Sequence, residues 1–256
     1  MLRMRLYLTR SQLNSGVRRT TSIPSIRRLL RTSHSGHFFK QNYTLASLDR
    51  RRIHRSTSRG VCMISPGFET TDPVTQTRTV VLQGARETSG RGWVLEVHCP
   101  EGAAAAFIAH LHRRWTETFE ILQGSAACRV GAEELRLAAG ESVVMPPNIA
   151  HFHPWNVGSG EMVYRQTSDF GASMPEAVDE MLGAYATIHG LAREGRIGRK
   201  GMPKNPLQLV ATGRAYTKHG SFDVGMPIPL QVALTAMFGP LAEALGYRAV
   251  YDRYLR

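Results

Sequence analysis

The sequence predicts a mainly β protein, an antiparallel barrel or sandwich, with a C-terminal α-helical extension. Three observations carry this. Short alternating or β-rich runs fill residues 76–167. Turn residues separate those runs at close spacing, which suits many short antiparallel strands. After "DFGAS" the apolar period changes from two to between three and four, the mark of helices.

The first 67 residues stand apart from that pattern. They hold 13 Arg, 1 Lys and a single acid, Asp49, and they are rich in Ser and Thr. In "SIRRLLR", Ile26, Leu29 and Leu30 can share one helical face with Arg27, Arg28 and Arg31 opposite. This is the composition of an organellar transit peptide, and equally of a basic extension ahead of Met63. Residues 1–67 are therefore expected to be a leader outside the fold. The protein is expected to be cytoplasmic, or in the mitochondrial matrix if the leader is a transit peptide.

The barrel is expected over 76–167. Its runs read "TRTVVLQ", "GWVLEVHC", "AAFIAHLH", "ETFEILQG", "AACRV", "LRL", "SVVMP", "AHFHPW" and "EMVYRQT". Turns are expected at Gly84, "SGRG", "PEG", Gly124, Gly131, "AAGE", "PPN" and "VGSG". The helical extension, 173–256, is expected to pack on the barrel. It offers three helices: "MPEAVDEMLGAYATIHGLAREG" with Ser173 as its cap, "NPLQLVATGRAYTKH" and "PLQVALTAMFGPLAEALGY". Residues 183–205 are the expected lid, because a helix end there runs into a Gly-rich loop.

Charge and cysteine usage narrow the function. The net charge of +12 belongs to the leader, since residues 68–256 carry 18 basic and 19 acidic side chains. The folded part thus lacks the basic footprint of a nucleic-acid binder. No run reaches the roughly 18 apolar residues of a membrane-spanning helix. Cys62, Cys99 and Cys128 are odd in number and widely spaced, against both a disulfide framework and a cysteine zinc knuckle.

"HLHRRWTE", residues 110–117, concentrates the chemistry. Alternation along a strand points His110 and His112 the same way. If "RRWT" reverses the chain, Glu117 returns opposite them, with Phe119 and Ile121 on its face and Thr118 and Glu120 on the other. "GESVVMPPNIAHFHPWN" later supplies His151 and His153, again on one face. Three imidazoles and a carboxylate converging inside a barrel suit a divalent transition metal. His153 is expected as an acid/base or a group behind the ligands. Tyr164 and Arg165 fall on opposite faces of a late strand, one of them in reach of a ligand. His98 is expected to be structural.

These residues resemble the cupin superfamily, whose first motif is written G(X)5HXH(X)3–4E(X)6G. From His110 onward the match is complete through Glu117 and Gly124, but Gly102 precedes His110 by eight residues instead of six. The second motif, G(X)5PXG(X)2H(X)3N, is met by Gly140, Pro146 and His151; Asn148 stands in the glycine place and Asn156 comes one residue late. An Asn tolerates the left-handed backbone such a glycine serves. The resemblance covers roughly residues 76–167 and implies a double-stranded β-helix, or jelly roll. It also implies that His110, His112, Glu117 and His151 hold the metal, whether Fe, Mn, Ni or Zn.

What the resemblance implies about activity is broad: quercetinase-like dioxygenases, isomerases, decarboxylases, polyketide cyclases and non-catalytic binders. The favoured expectation is a small-molecule metalloenzyme, dioxygenase-like, acting on an enolic or aromatic compound. Phe119, Ile121 and Trp155 are the expected pocket wall. The alternatives are a metal-dependent isomerase or cyclase, and a ligand-binding or structural barrel without turnover. A single barrel exposes edge strands, so a homodimer is expected.

Overall fold

The computed structural model describes residues 3–5, 64–103, 108–198 and 201–256. The leader stretch 26–31 and residues 105–107 of the expected strand at 105–112 lie outside them. Eleven strands come first: β1 (Arg3–Arg5), β2 (Glu69–Asp72), β3 (Thr77–Gln83), β4 (Gly92–Cys99), β5 (His110–His112), β6 (Thr116–Gln123), β7 (Ser125–Val130), β8 (Glu133–Ala138), β9 (Glu141–Met145), β10 (His151–Asn156) and β11 (Met162–Asp169). Then follow α1 (Pro175–Arg193), α2 (Pro206–His219), β12 (Ser221–Asp223) and α3 (Ile228–Ala244). Among the described residues no helix is long and apolar enough to cross a membrane.

The strands form two sheets, ordered β1-β9-β6-β11-β4-β3-β2 and β12-β5-β10-β7-β8. Every pairing is antiparallel except β1 on β9. This is the mainly β, double-stranded β-helix class with a helical extension, but among the described residues the sheets do not join into one closed barrel. Pro146 and Pro147 follow β9 and have no N–H to extend its ladder. β5 is only three residues long and meets β10 at a single register pair.

Three strands were not foreseen. β2 is a short edge strand. β1 belongs to the expected leader, yet its backbone runs beside Glu141–Val143. β12 comes from the expected helical region and pairs with the histidine strand, Ser221 opposite His112 and Asp223 opposite His110. The extension is thus stitched into the second sheet, and not merely laid against it.

Alternation sets the inner face of the first sheet. Glu117, Phe119 and Ile121 of β6 are buried, and their register partners on β11 are Ser168, Gln166 and Tyr164. Those in turn face Trp93, Leu95 and Val97 of β4. With Met145, Val143, Ala126 and Cys128 from both sheets they make one core, each large side chain adding about 1.5–3 kcal/mol by burial.

β10 departs from simple alternation. Phe152 pairs with Arg129 while Trp155 pairs with Ala127, so His153 and Pro154 together oppose one residue. This is a β-bulge. It carries one extra residue, which accounts for Asn156 arriving one position late in the motif. Asn156 still ties the next loop, donating to the carbonyls of Cys99, Pro100 and Gly160 and accepting from the Gly158 N–H. Asn148 has φ of 65°, the left-handed conformation its glycine place requires.

The helices lie where their patterns put them, with one change of cap. Ser173 does not cap α1; its hydroxyl donates to the Ser89 carbonyl, and Met174 occupies the cap position without a side-chain bond. α2 has a working cap, Asn205, whose side-chain oxygen accepts from the Leu207 and Gln208 N–H groups.

Candidate metal centre

Three elements bring the histidines and the glutamate together. His110 and His151 oppose one another across β5 and β10, their rings 4.5 Å apart at the centroids. Glu117 enters from β6 and is 2% exposed. One ligand atom from each of His110, His112, Glu117 and His151 lies within 4.8 Å of the others.

Each donor is oriented by its neighbours. His110 Nδ1–H donates to the Ile108 carbonyl and His151 Nδ1–H to that of Ile149, both at 2.9 Å. The same residue-minus-two bond leaves Nε2 of each ring free to ligate. His112 stacks on Trp115 at 4.0 Å, and Trp115 packs on Phe170. Glu117 Oε1 accepts from Gln166 Nε2 at 2.9 Å and Ser168 Oγ at 3.0 Å. Its other oxygen, Oε2, is turned to His151 Nε2 at 3.4 Å and His112 Nδ1 at 3.7 Å.

Those two ring nitrogens are buried without a hydrogen-bond partner among the described residues. A buried polar atom left unpaired costs about 1–3 kcal/mol. Two such atoms aimed at one carboxylate oxygen are what a divalent cation would satisfy, so the donor set fits a metal. Burial, reinforced by the imidazoles of His153, His151 and His112, holds His110 well below its ordinary pKa. Burial likewise lowers His112, to about 4, although Glu117 opposes it. For Glu117 burial acts upward, but His112 and His153 outweigh it and its carboxyl stays well below the usual range. Neutral imidazoles beside an ionised carboxylate are the protonation states a metal needs.

His153 Nε2–H donates to Glu117 Oε2 at 3.1 Å and its ring rests on Phe119 at 4.8 Å. Glu120 points the other way and pairs with Arg165 at 3.2 Å. Tyr164 is therefore the inward member of the Tyr164–Arg165 pair. His98 lies on an outer face with Arg78, Glu96 and Glu161.

A cavity of about 410 Å³ opens on the cluster. Its aromatic and apolar wall comes from Trp93, Trp115, Leu95, Val97, Pro154 and Tyr164, closed by α1, α2, β12 and α3. The expected wall residues Phe119, Ile121 and Trp155 do not form this wall. Phe119 and Ile121 are fully buried and do not line the cavity; His153 stands over Phe119. Trp155 does not line it either, because the bulge reverses alternation after His153 and turns Pro154 inward in its place. From the expected lid, Tyr185, Ile188, His189 and residues 201–203 line the cavity, while residues 199–200 lie outside the described ones.

Sequence reading missed Gln166, Ser168, Trp115, Asp72 and the α1 pair Tyr185 and His189. Gln166 and Ser168 were within reach, since they share the inward face of β11 with Tyr164. The helix residues carried no such signal.

Comparison with known proteins bears on the same region. The family model described as "Cupin domain" matches residues 95–165. Similar solved structures include a predicted oxalate decarboxylase from Thermotoga maritima, 14% identical over 42% of this chain and 93% of that one, TM-score 0.35. A putative sugar phosphate isomerase from Acidithiobacillus ferrooxidans is 18% identical over 40% and 67%, TM-score 0.33. An uncharacterized conserved protein with a double-stranded β-helix domain from Klebsiella pneumoniae is 19% identical over 37% and 77%, TM-score 0.32. No curated protein matches the chain.

Proposed function

We infer that this chain, which belongs to the cupin superfamily through the domain at residues 95–165, is a metal-dependent enzyme acting on a small, largely apolar molecule. The observation that carries the reading is the division of labour in Glu117. Oε1 is pinned by Gln166 and Ser168, and Oε2 is presented to unpaired imidazole nitrogens at the cavity floor. His110, His112, Glu117 and His151 would hold the ion. A bound divalent transition metal, Fe, Mn, Ni or Zn, would supply Lewis acidity, and a redox-active one electron transfer with O₂.

The rest of the chemistry belongs to the chain. The wall excludes water around the donors and strengthens electrostatic interactions there. Among the described residues no Lys or Arg lines the cavity. A phosphorylated or polyanionic substrate would find no counter-charge from them, whereas Trp93, Trp115 and Tyr164 suit a planar enolic or aromatic one. His153 borders the cavity with its Nε2–H bonded to Glu117, which leaves Nδ1 as the ring nitrogen to take or return a proton. These features favour a dioxygenase-like oxidoreductase.

The test is elemental analysis of the full chain beside the His110→Ala/Glu117→Ala double variant, followed by O₂-electrode assays with enolic and phenolic compounds. Near one Fe, Mn, Ni or Zn per chain, lost in the variant, supports the centre; substrate-dependent O₂ uptake supports the oxidoreductase. Turnover without O₂ uptake would point to Lewis-acid isomerisation or cyclisation. Less than about a tenth of an equivalent after reconstitution with each ion would overturn the metalloenzyme.

A further inference from the structure

We propose that the end of the cavity formed by β2, β3 and α1 is a second recognition subsite, in which His189 and Tyr185 hold a hydroxyl group of an elongated, largely apolar ligand. The proposal rests on the function above only for its other anchor, the ligand oxygen at the metal centre.

His189 is 2% exposed and lines the cavity, and its Nδ1 is buried without a hydrogen-bond partner among the described residues. Its ring packs on Tyr185 at 4.3 Å. Tyr185 also lines the cavity, and its hydroxyl shares a 3.0 Å bond with Thr79. The neighbouring polar groups are already matched. Asp72, 1% exposed, accepts from the Val74 N–H at 2.9 Å and the Thr75 hydroxyl at 2.8 Å. Thr75 and Thr77 share a further bond at 2.8 Å. His189 is the member of this group with unmet bonding capacity, and an unmet buried donor or acceptor discriminates strongly between ligands that satisfy it and ligands that do not.

The chemistry of the missing partner follows from the imidazole. Burial lowers the His189 pKa to about 4, against the pull of Asp72 and with the help of Arg193, so the ring is neutral near pH 7. A neutral imidazole offers one donor and one acceptor. A hydroxyl, which both donates and accepts, suits Nδ1 in either tautomer. A carboxylate would face the Asp72 side chain, with no Lys or Arg among the described lining residues.

Register gives the length. Ile121, Tyr164, Val97, Thr79 and Thr70 are successive partners from β6 to β2. Four interstrand steps span roughly 15–20 Å on a flat sheet, and curvature shortens that. Between the two ends the wall is Leu95, Val97, Met181, Leu182 and Tyr216. A molecule reaching both ends is long, apolar in its middle and oxygenated at each terminus.

The experiment compares 4,4′-dihydroxystilbene with 4-hydroxystilbene, read by quenching of Trp93 and Trp115, in the full chain and in His189→Phe. In the wild type the dihydroxy probe should bind about tenfold tighter, and in His189→Phe the two should bind alike while circular dichroism and metal content stay unchanged. His189→Gln should keep part of the preference. Equal or absent binding of both probes by the wild type, or a full preference in His189→Phe, overturns the subsite. If His189→Phe does not fold, Tyr185→Phe and His189→Gln decide, an undiminished preference in both overturning it. Metal removal separates the two readings: a chain that never holds metal but loses the preference on substitution sinks the metalloenzyme and keeps the subsite.

Discussion

Gln166 and Glu117 are joined by the amide of one and a single carboxylate oxygen of the other, at 2.9 Å, in the buried centre of the first sheet. With the Ser168 hydroxyl at 3.0 Å this fixes which Glu117 oxygen can turn to the histidines. Groups behind a ligand commonly set affinity by orienting it. Gln166→Leu combined with Ser168→Ala is expected to weaken metal binding about 10- to 100-fold, measured by chelator competition, with the circular dichroism spectrum retained. Unchanged affinity would remove the orienting role.

The two nearby glutamates make opposite predictions. Glu117→Gln should abolish stoichiometric metal, because it removes the ligand charge at the centre of the cluster. Glu120→Gln should leave the metal in place and cost about 0–1 kcal/mol, since it breaks only a partly exposed pair with Arg165. Elemental analysis and melting curves of both variants check this. Loss of metal in Glu120→Gln would reverse the assignment.

Much of this was legible because strands report their faces every second residue. That period placed Glu117 inward and Glu120 outward, and it brought His110 and His112 beside His151. That period could not show Trp155 turning away, since a one-residue bulge is invisible to alternation and flips every position after it; the late Asn156 was its trace. β12 escaped because three residues, Ser221–Asp223, are too few to show a period between two strong helices. Asp72 and His189 come together only through the docking of α1 on the sheet, a tertiary relationship that no local pattern records.

Gly190 marks how closely α1 is packed. A β-carbon there would collide with the Tyr254 ring. In an open helix Gly→Ala is worth about 1 kcal/mol of stabilisation, but Gly190→Ala should destabilise by about 1–3 kcal/mol through overpacking. Tyr254→Leu in the same chain should recover part of the loss, a coupling that a double-mutant cycle of melting temperatures reads directly.

α3 leads us to propose that the chain pairs with a second copy of itself. Leu230, Met237, Leu241 and Leu245 are exposed, Met237 by 63%, and Glu243 is the only charged residue between Val224 and Tyr247. Contiguous apolar surface of this kind marks contact sites, and an uncharged strip can meet its own copy about a twofold axis with no opposing charges. Light scattering should give twice the chain mass for the wild type and a monomer for Met237→Asp/Leu241→Asp. A monomeric wild type at all concentrations would exclude the pairing.

Glu180 links α1 to α2, accepting from Lys218 Nζ at 2.7 Å and His219 Nε2 at 2.8 Å. Burial raises its carboxyl pKa, but the bonds and charge of His219 and Lys218 outweigh this and hold it below the ordinary 4.5. A folded carboxyl with a depressed pKa contributes stability that is complete above the unfolded value and is lost as pH falls through the folded one. On acidification below 4.5, the wild type should therefore lose melting temperature faster than Glu180→Gln, and the two curves should converge once the wild-type carboxyl is protonated. Above that range the wild type should be the more stable of the two. Parallel curves down to full unfolding would show that the Glu180 bonds add nothing to the docking of the helices.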